Sequence, residues 1–161
     1  MSVLPLVLWP DARLTTPCAP ALADEATRQL AADMLDTMYA APGRGLAAPQ
    51  VGHLLRLFVM DTGWKDGRPN PRVVLNPEIL WQSDTMVTGP EGCLSIPGIT
   101  AQVPRAAAVR MRWTDLDGQE FHEILTRFDA ICAQHEADHL DGRLMFDRLD
   151  AAERARLSVG A

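Results

Sequence analysis

Near its C-terminal end the chain carries His135-Glu136-Ala137-Asp138-His139, and no other feature restricts the possible fold so tightly. Residues four apart lie one above the other on an α-helix. The spacing therefore predicts a helix that presents both imidazoles from one face, close enough to share an ion. Glu136 stands one position round, where its carboxylate can act on a water beside the ion without becoming a ligand. The helix is predicted over residues 127 to 141. Thr126 with Asp129 has a capping-box arrangement at its start, and Gly142 sits where a helix-ending glycine belongs.

Two imidazoles do not complete a catalytic site, which normally has three protein ligands and a position kept for water. Downstream the search for a third fails. Position 145 is Met where the extended zinc-protease pattern needs His, and Glu153, the sole downstream Glu, stands in a short charged stretch. Upstream, Glu91-Gly92-Cys93-Leu94-Ser95 follows Gly89-Pro90 in a polar, glycine-rich setting unlike a core strand. A thiolate there would complete a Cys/His/His site. Taken alone, Cys93 reads more readily as a buried residue with no chemistry than as a ligand.

The rest of the pattern gives the fold class. Leu30, Met34 and Met38 recur at a spacing of four within residues 24 to 40, predicting a helix closed by Pro42-Gly43. A small-residue segment over 43 to 52 leads into a strand at 55 to 61, and a second short strand is predicted at 73 to 76. Residues 109 to 113 alternate as a strand does, Asp117-Gly118 makes a two-residue turn, and the chain returns over 119 to 125. Strands in the middle with a helix before and after favour an α+β domain over an alternating parallel fold. The 161 residues, 47% of them hydrophobic, suit a single domain spanning 1–161.

Charge and cysteine content narrow the setting. A formal charge of −6 without a basic cluster argues against direct nucleic-acid binding. No stretch approaches the ~20 apolar residues that span a bilayer, so no membrane partner is expected. The apolar opening lacks a preceding positive charge and a small-residue cleavage pattern, and three cysteines suggest a reducing compartment, so the expected location is cytoplasmic.

Three segments, in this order, resemble the signature motifs of the peptide deformylases: Gly43-Arg-Gly-Leu-Ala-Ala-Pro-Gln50, Glu91-Gly-Cys-Leu-Ser95 and Gln134-His-Glu-Ala-Asp-His139. Weaker likenesses run from the Met-Ser-Val-Leu opening through Asp36-Thr-Met-Tyr39 to Val103-Pro-Arg105, so the resemblance covers nearly the whole chain. It implies a compact domain of antiparallel strands around a central metal-binding helix. It implies hydrolysis of the formyl group from the N-terminal methionine of newly made proteins, with N-formyl-methionyl peptides as substrate. The matching positions make Cys93, His135 and His139 the metal ligands and Glu136 the general base. Gln50 and the backbone N–H of Leu94 become donors to the developing oxyanion. The resemblance also implies one divalent ion, usually Fe2+ in the cell, with Zn2+ or Ni2+ possible in purified protein. An extended substrate is expected to pair with backbone near Gly45 and Gly92, its methionine side chain walled by Phe128, Ile131 and Cys132.

Two departures qualify the resemblance. Arg44 stands between two glycines where family members usually carry an aliphatic residue that lines the methionine pocket. It is expected to lay its stem along the wall and direct its charge to solvent, weakening methionine preference or favouring a polar or acidic neighbour. Only twelve residues follow Leu149, where many members have a longer basic helix, which puts ribosome docking by that route in doubt. Cys18, His53 and His122 are read as ordinary residues, and Arg105 as a brace with Glu91 as a possible partner. The competing readings are an amidase of shifted acyl or peptide specificity, a non-catalytic metal-binding relative, and a peptidase of internal bonds.

Overall fold

The methionine stripe does form a helix. In a computed structural model, which describes residues 2–157, helix α1 spans Glu25–Ala40. Asp24 caps it by accepting a hydrogen bond from the Thr27 N–H at 2.9 Å. Seven strands follow: β1 Gly45–Ala47, β2 Leu57–Met60, β3 Arg72–Gln82, β4 Met86–Cys93, β5 Ile96–Ala106, β6 Ala108–Thr114 and β7 Glu120–Thr126. Helix α2, Arg127–Leu140, carries the His-Glu-x-x-His pattern, and a short α3 covers Ala151–Leu157. Strands in the middle and helices at both ends make an α+β fold, as expected.

The strands divide into two antiparallel sheets. One runs β1-β2-β3-β6-β7, and the other is the β4-β5 pair alone. Side chains alternate between the faces of a strand, and β2 shows what this achieves. Leu57 and Val59 meet Met34 and Met38 of α1, whereas Phe58 and Met60 meet Ala130, Ala133 and Ala137 of α2. The larger sheet is thus held between the two helices. Burial on both sides is why β2 reads as a continuous apolar run. Phe58 and Leu57 are fully buried, and each such side chain stabilises the fold by about 1.5–3 kcal/mol. A third cluster joins Val7 and Leu14 to Ile96 and Val103 of β5 and to Leu144 and Phe146 beyond α2.

Four local expectations need correction. The strand expected at 73 to 76 extends to Gln82, passing Pro77 through register shifts between Leu75 and Glu78 and between Ile79 and Trp81. Proline normally ends a ladder, and here bulges accommodate it. The β4-β5 hairpin was not anticipated, because Gly89, Pro90, Pro97 and Pro104 mask it. Among the described residues its strands pair only with each other, so residues lacking a donor or a side chain are tolerated. The turn after β6 has three residues, Leu116 to Gly118, closed by the Gly118 N–H to Asp115 O, with Gly118 at φ +79°. Lastly, Thr126 makes no side-chain cap: Asp129 is drawn instead to Thr62 and Arg72, and Arg127 opens α2 at φ +54°.

The end of α2 follows expectation. Gly142 lies at φ +74°, and the Arg143 N–H reaches back to Asp138 O at 2.9 Å, the hydrogen bond that closes a glycine-terminated helix. A Cβ at Gly142 would sit 2.8 Å from the backbone O of Thr15. Gly142→Ala is therefore expected to lower unfolding free energy by about 1–3 kcal/mol, read by urea denaturation. An unchanged midpoint would contradict this account of the helix stop.

Candidate metal centre and active site

The helix spacing places His135 and His139 with ring centroids 5.1 Å apart and planes at 70°. The third donor arrives from the other sheet. Cys93 ends β4, where the pairing shifts register after Gly92, and its Sγ lies 3.5 Å from His139 Nε2. Ligand atoms of Cys93, His135 and His139 all fall within 4.8 Å of one another. Tetrahedral coordination with bonds of ~2.3 Å to sulfur and ~2.0–2.1 Å to nitrogen needs S···N near ~3.6 Å. The donor set and its spacing fit a single metal ion.

The surroundings also fit. His135 Nδ1 pairs with Glu91 Oε1 at 2.8 Å, which orients the ring and leaves Nε2 for an ion. Arg105 holds both Glu91 oxygens, at 2.7 and 2.9 Å, and reaches Asp138 Oδ2 at 3.0 Å. Arg148 grips the same Asp138 at 2.7 and 3.0 Å. Burial alone would raise Glu91, but its hydrogen bonds from His135 and Arg105 hold its pKa below the ordinary value. Burial works against charge on His135, yet Glu136, Cys93 and Glu91 carry its pKa well above the usual imidazole range. The cluster thus favours positive charge at the point where a cation would lie. His139 is held well below that range by burial and by His135, keeping it neutral as a ligand must be.

Glu136 is buried beside these groups, with Oε1 lacking any partner among the described residues. Burial pushes its pKa up to about 7, against the opposing pull of His135 and Arg105. A Cβ on Gly45 would collide with Glu136 Oε2 and come within 2.8 Å of Cys132 Sγ. Gln50 is buried in the turn Ala48–Val51. Its Oε1 accepts from the Ala47 N–H at 2.9 Å, which aims Nε2 at Ser95 Oγ, 3.1 Å away, and at Cys93 Sγ, 3.5 Å away.

These groups face a cavity of about 450 Å³. Of the twelve candidate site residues, eleven line it: Arg44, Gly45 and Gln50 on one wall, Gly92, Cys93 and Leu94 on another, and Phe128, Ile131, Cys132, His135 and Glu136 from α2. His139 lies behind, fully buried. A larger cleft of about 650 Å³ lies on the other side of α2, but its polar wall groups Arg56, Gln134, Asp138 and Arg148 are already paired. Cys18 and His53 lie outside the site cavity, and exposed His122 pairs with Glu120 at 3.0 Å. Reasoning from sequence missed Asp138, Arg148, Ser95 and Lys65. Ser95 and Asp138 left a signal, each lying inside one of the motif segments, whereas Arg148 and Lys65 left none.

The chain matches the family model for polypeptide deformylase over residues 3–155. It belongs to the polypeptide deformylase family. It is 46% identical over 158 residues to a peptide deformylase-like protein of Bradyrhizobium diazoefficiens, covering 98% of this chain and 91% of that one. It is 43% identical over 158 residues to a peptide deformylase of Pseudomonas aeruginosa, with 98% and 93% covered. Among solved structures, the Thermotoga maritima peptide deformylase superposes with a TM-score of 0.88 at 35% identity, covering 93% of this chain and 99% of that one. The α+β arrangement described above is therefore the deformylase fold.

Glu91 tests the centre. Glu91→Gln keeps the shape of the side chain but removes the charge that orients His135, and is expected to weaken metal affinity about 10- to 100-fold. Competition against a calibrated chelator measures this, and unaltered affinity would count against the bracing role.

Proposed function

We propose that the chain is a metal-dependent hydrolase that removes the formyl group from the N-terminal methionine of nascent polypeptides, with residues 1–161 as one catalytic domain. One observation carries the reading: the Cys93, His135 and His139 donors converge beside a buried Glu136 that lines an open cavity. Membership of the deformylase family favours this over a shifted amidase or a non-catalytic relative.

Cys93, His135 and His139 would hold one divalent ion. When bound, that ion supplies Lewis acidity, which makes water acidic enough to furnish a nucleophile near neutral pH. We take it to be Fe2+ in the cell, replaceable by Zn2+ or Ni2+ in purified protein, since thiolate and imidazole donors suit all three.

The side chains then divide the remaining work. Glu136 takes a proton from the attacking water and returns it to the amine as the C–N bond of the formamide breaks, so that formate and a free N-terminus leave. A pKa of about 7 suits both transfers. Gln50 Nε2 and the Leu94 N–H donate to the oxygen that gains charge during attack. Losing one such donor typically costs ~10²–10³ in rate. The formyl peptide would lie extended between two open strand edges, Gly45 of β1 and Gly92 of β4, since each strand pairs on one side only. Its methionine side chain would rest on Phe128, Ile131 and Cys132. Arg44 stands at the same wall. We place the reaction in the cytoplasm with N-formyl-methionyl peptides as the substrates. Among the described residues, no helix is long and apolar enough to cross a membrane.

Hydrolysis of formyl-Met-Ala-Ser by anaerobically purified, metal-loaded protein tests the reading. Formate release is expected, acetylated peptides and casein are expected to remain intact, and chelation is expected to abolish turnover until a divalent ion is returned. Glu136→Gln should lower kcat by about 10²–10⁴-fold while the metal is retained. An inert, fully loaded wild-type enzyme would overturn the proposal.

A further inference from the structure

The cavity holds two cations that the reaction above does not use. Arg44 lays its guanidinium over the Phe128 ring, with Cζ 5.3 Å from the centroid, and its buried Nε has no hydrogen-bond partner among the described residues. Lys65 lines the same cavity from the loop after β2, its Nζ 5.7 Å from the Trp64 ring. Among the described residues, neither has a carboxylate within 4.0 Å, although ten other basic or histidine side chains do. The two acidic residues on the cavity wall offer no compensation. Glu91 is engaged by Arg105 and His135, and Glu136 lies deep in the site.

The cations are also held on one frame. Trp64 Nε1 donates to Gly43 O at 2.8 Å, and the Asp61 N–H donates to Arg44 O at 2.9 Å, so the loop bearing Lys65 is tied to the backbone around Arg44. A guanidinium stacked on an aromatic ring keeps its N–H edge free for a planar, two-oxygen acceptor. Resting on that proposed function, the position of such an acceptor follows from strand geometry. If the side chain of the first residue packs on Phe128, Ile131 and Cys132, that of the second points away. The third returns to the same face.

We propose that Arg44, assisted by Lys65, forms a carboxylate subsite that favours formyl-methionyl chains with Asp or Glu as their third residue. The test uses C-terminally amidated formyl-Met-Ala-Xaa-Ala and formyl-Met-Xaa-Ala-Ala, with Xaa Glu, Gln or Lys, on metal-loaded enzyme. At low salt, kcat/KM is expected to favour Glu over Lys at the third position by roughly fivefold or more. It should show no such preference at the second. The ratio should shrink in 0.5 M salt, fall towards one in Arg44→Met, and fall part-way in Lys65→Ala, a surface change that keeps the test open should the first variant not fold. Equal rates for Glu and Lys, a preference confined to the second residue, or a ratio untouched by both substitutions would each overturn the subsite while leaving deformylation standing. Failure to cleave any formyl peptide would remove the underlying function, and the subsite with it.

Discussion

A chain of charges, from exposed Arg148 through buried Asp138, Arg105 and Glu91 to His135, ties the β4-β5 pair to α2 and to the segment that follows it. Arg105 is on β5, Glu91 on β4 and Asp138 on α2, and each is less than a tenth exposed. Removing such groups from water is expensive, and the expense is recovered only where every donor and acceptor is met. Here Arg105 uses Nε and both terminal nitrogens on two carboxylates. The result is less a gain in stability than a fixed register. Glu91 and Cys93 stand two apart and are both buried, with exposed Gly92 between them. Strand alternation therefore turns them to the same side. Once Arg105 seats Glu91 on His135 Nδ1, the Cys93 sulfur has little choice but to face the two imidazoles.

What could be read from the sequence follows from how local each signal is. The two main helices declared themselves through spacings of four, and Gly142 through a backbone angle that other residues avoid. The β4-β5 hairpin was hidden because its prolines and glycines are compatible with a pair of strands that have no further neighbours, a condition set by tertiary structure. Asp129 looked like a cap by position but found Thr62 and Arg72, both distant in sequence. The same limit applied within the site. Motif spacing brought forward Cys93, His135 and His139, together with Glu136 and Gln50. Asp138 and Arg148 matter only through Arg105, which no local pattern connects to them.

The Gln50 side of the site, proposed to meet the oxyanion, depends on a similar handover between distant backbone segments. The Val7 N–H donates to Gln50 O at 2.7 Å and the Trp9 N–H to Ser95 O at 2.8 Å. The N-terminal segment thus clips together the turn that bears Gln50 and the turn that follows Cys93. Inside that clip, the Ala47 N–H and Ser95 Oγ leave the Gln50 amide one sensible orientation. A donor fixed before reaction needs no reorganisation when charge develops, which is where such a group has most effect.

Glu136, the proposed base, is governed by what its neighbour lacks. With no Cβ at Gly45, the edge of β1 closes directly onto Glu136 and Cys132, excluding the water that would otherwise solvate the carboxylate. That burial brings Glu136 to about 7, while His135 and Arg105 stop it from rising further. Formamide hydrolysis asks one group to accept a proton and then give it back, so a pKa far from working pH would slow one of the two transfers. The same missing side chain leaves the backbone of β1 open at the sheet edge. Position 45 is therefore constrained twice, by Glu136 and by the strand edge. Position 44, whose side chain reaches outward over Phe128, is constrained by neither, and there the chain can carry an arginine without disturbing the chemistry behind it.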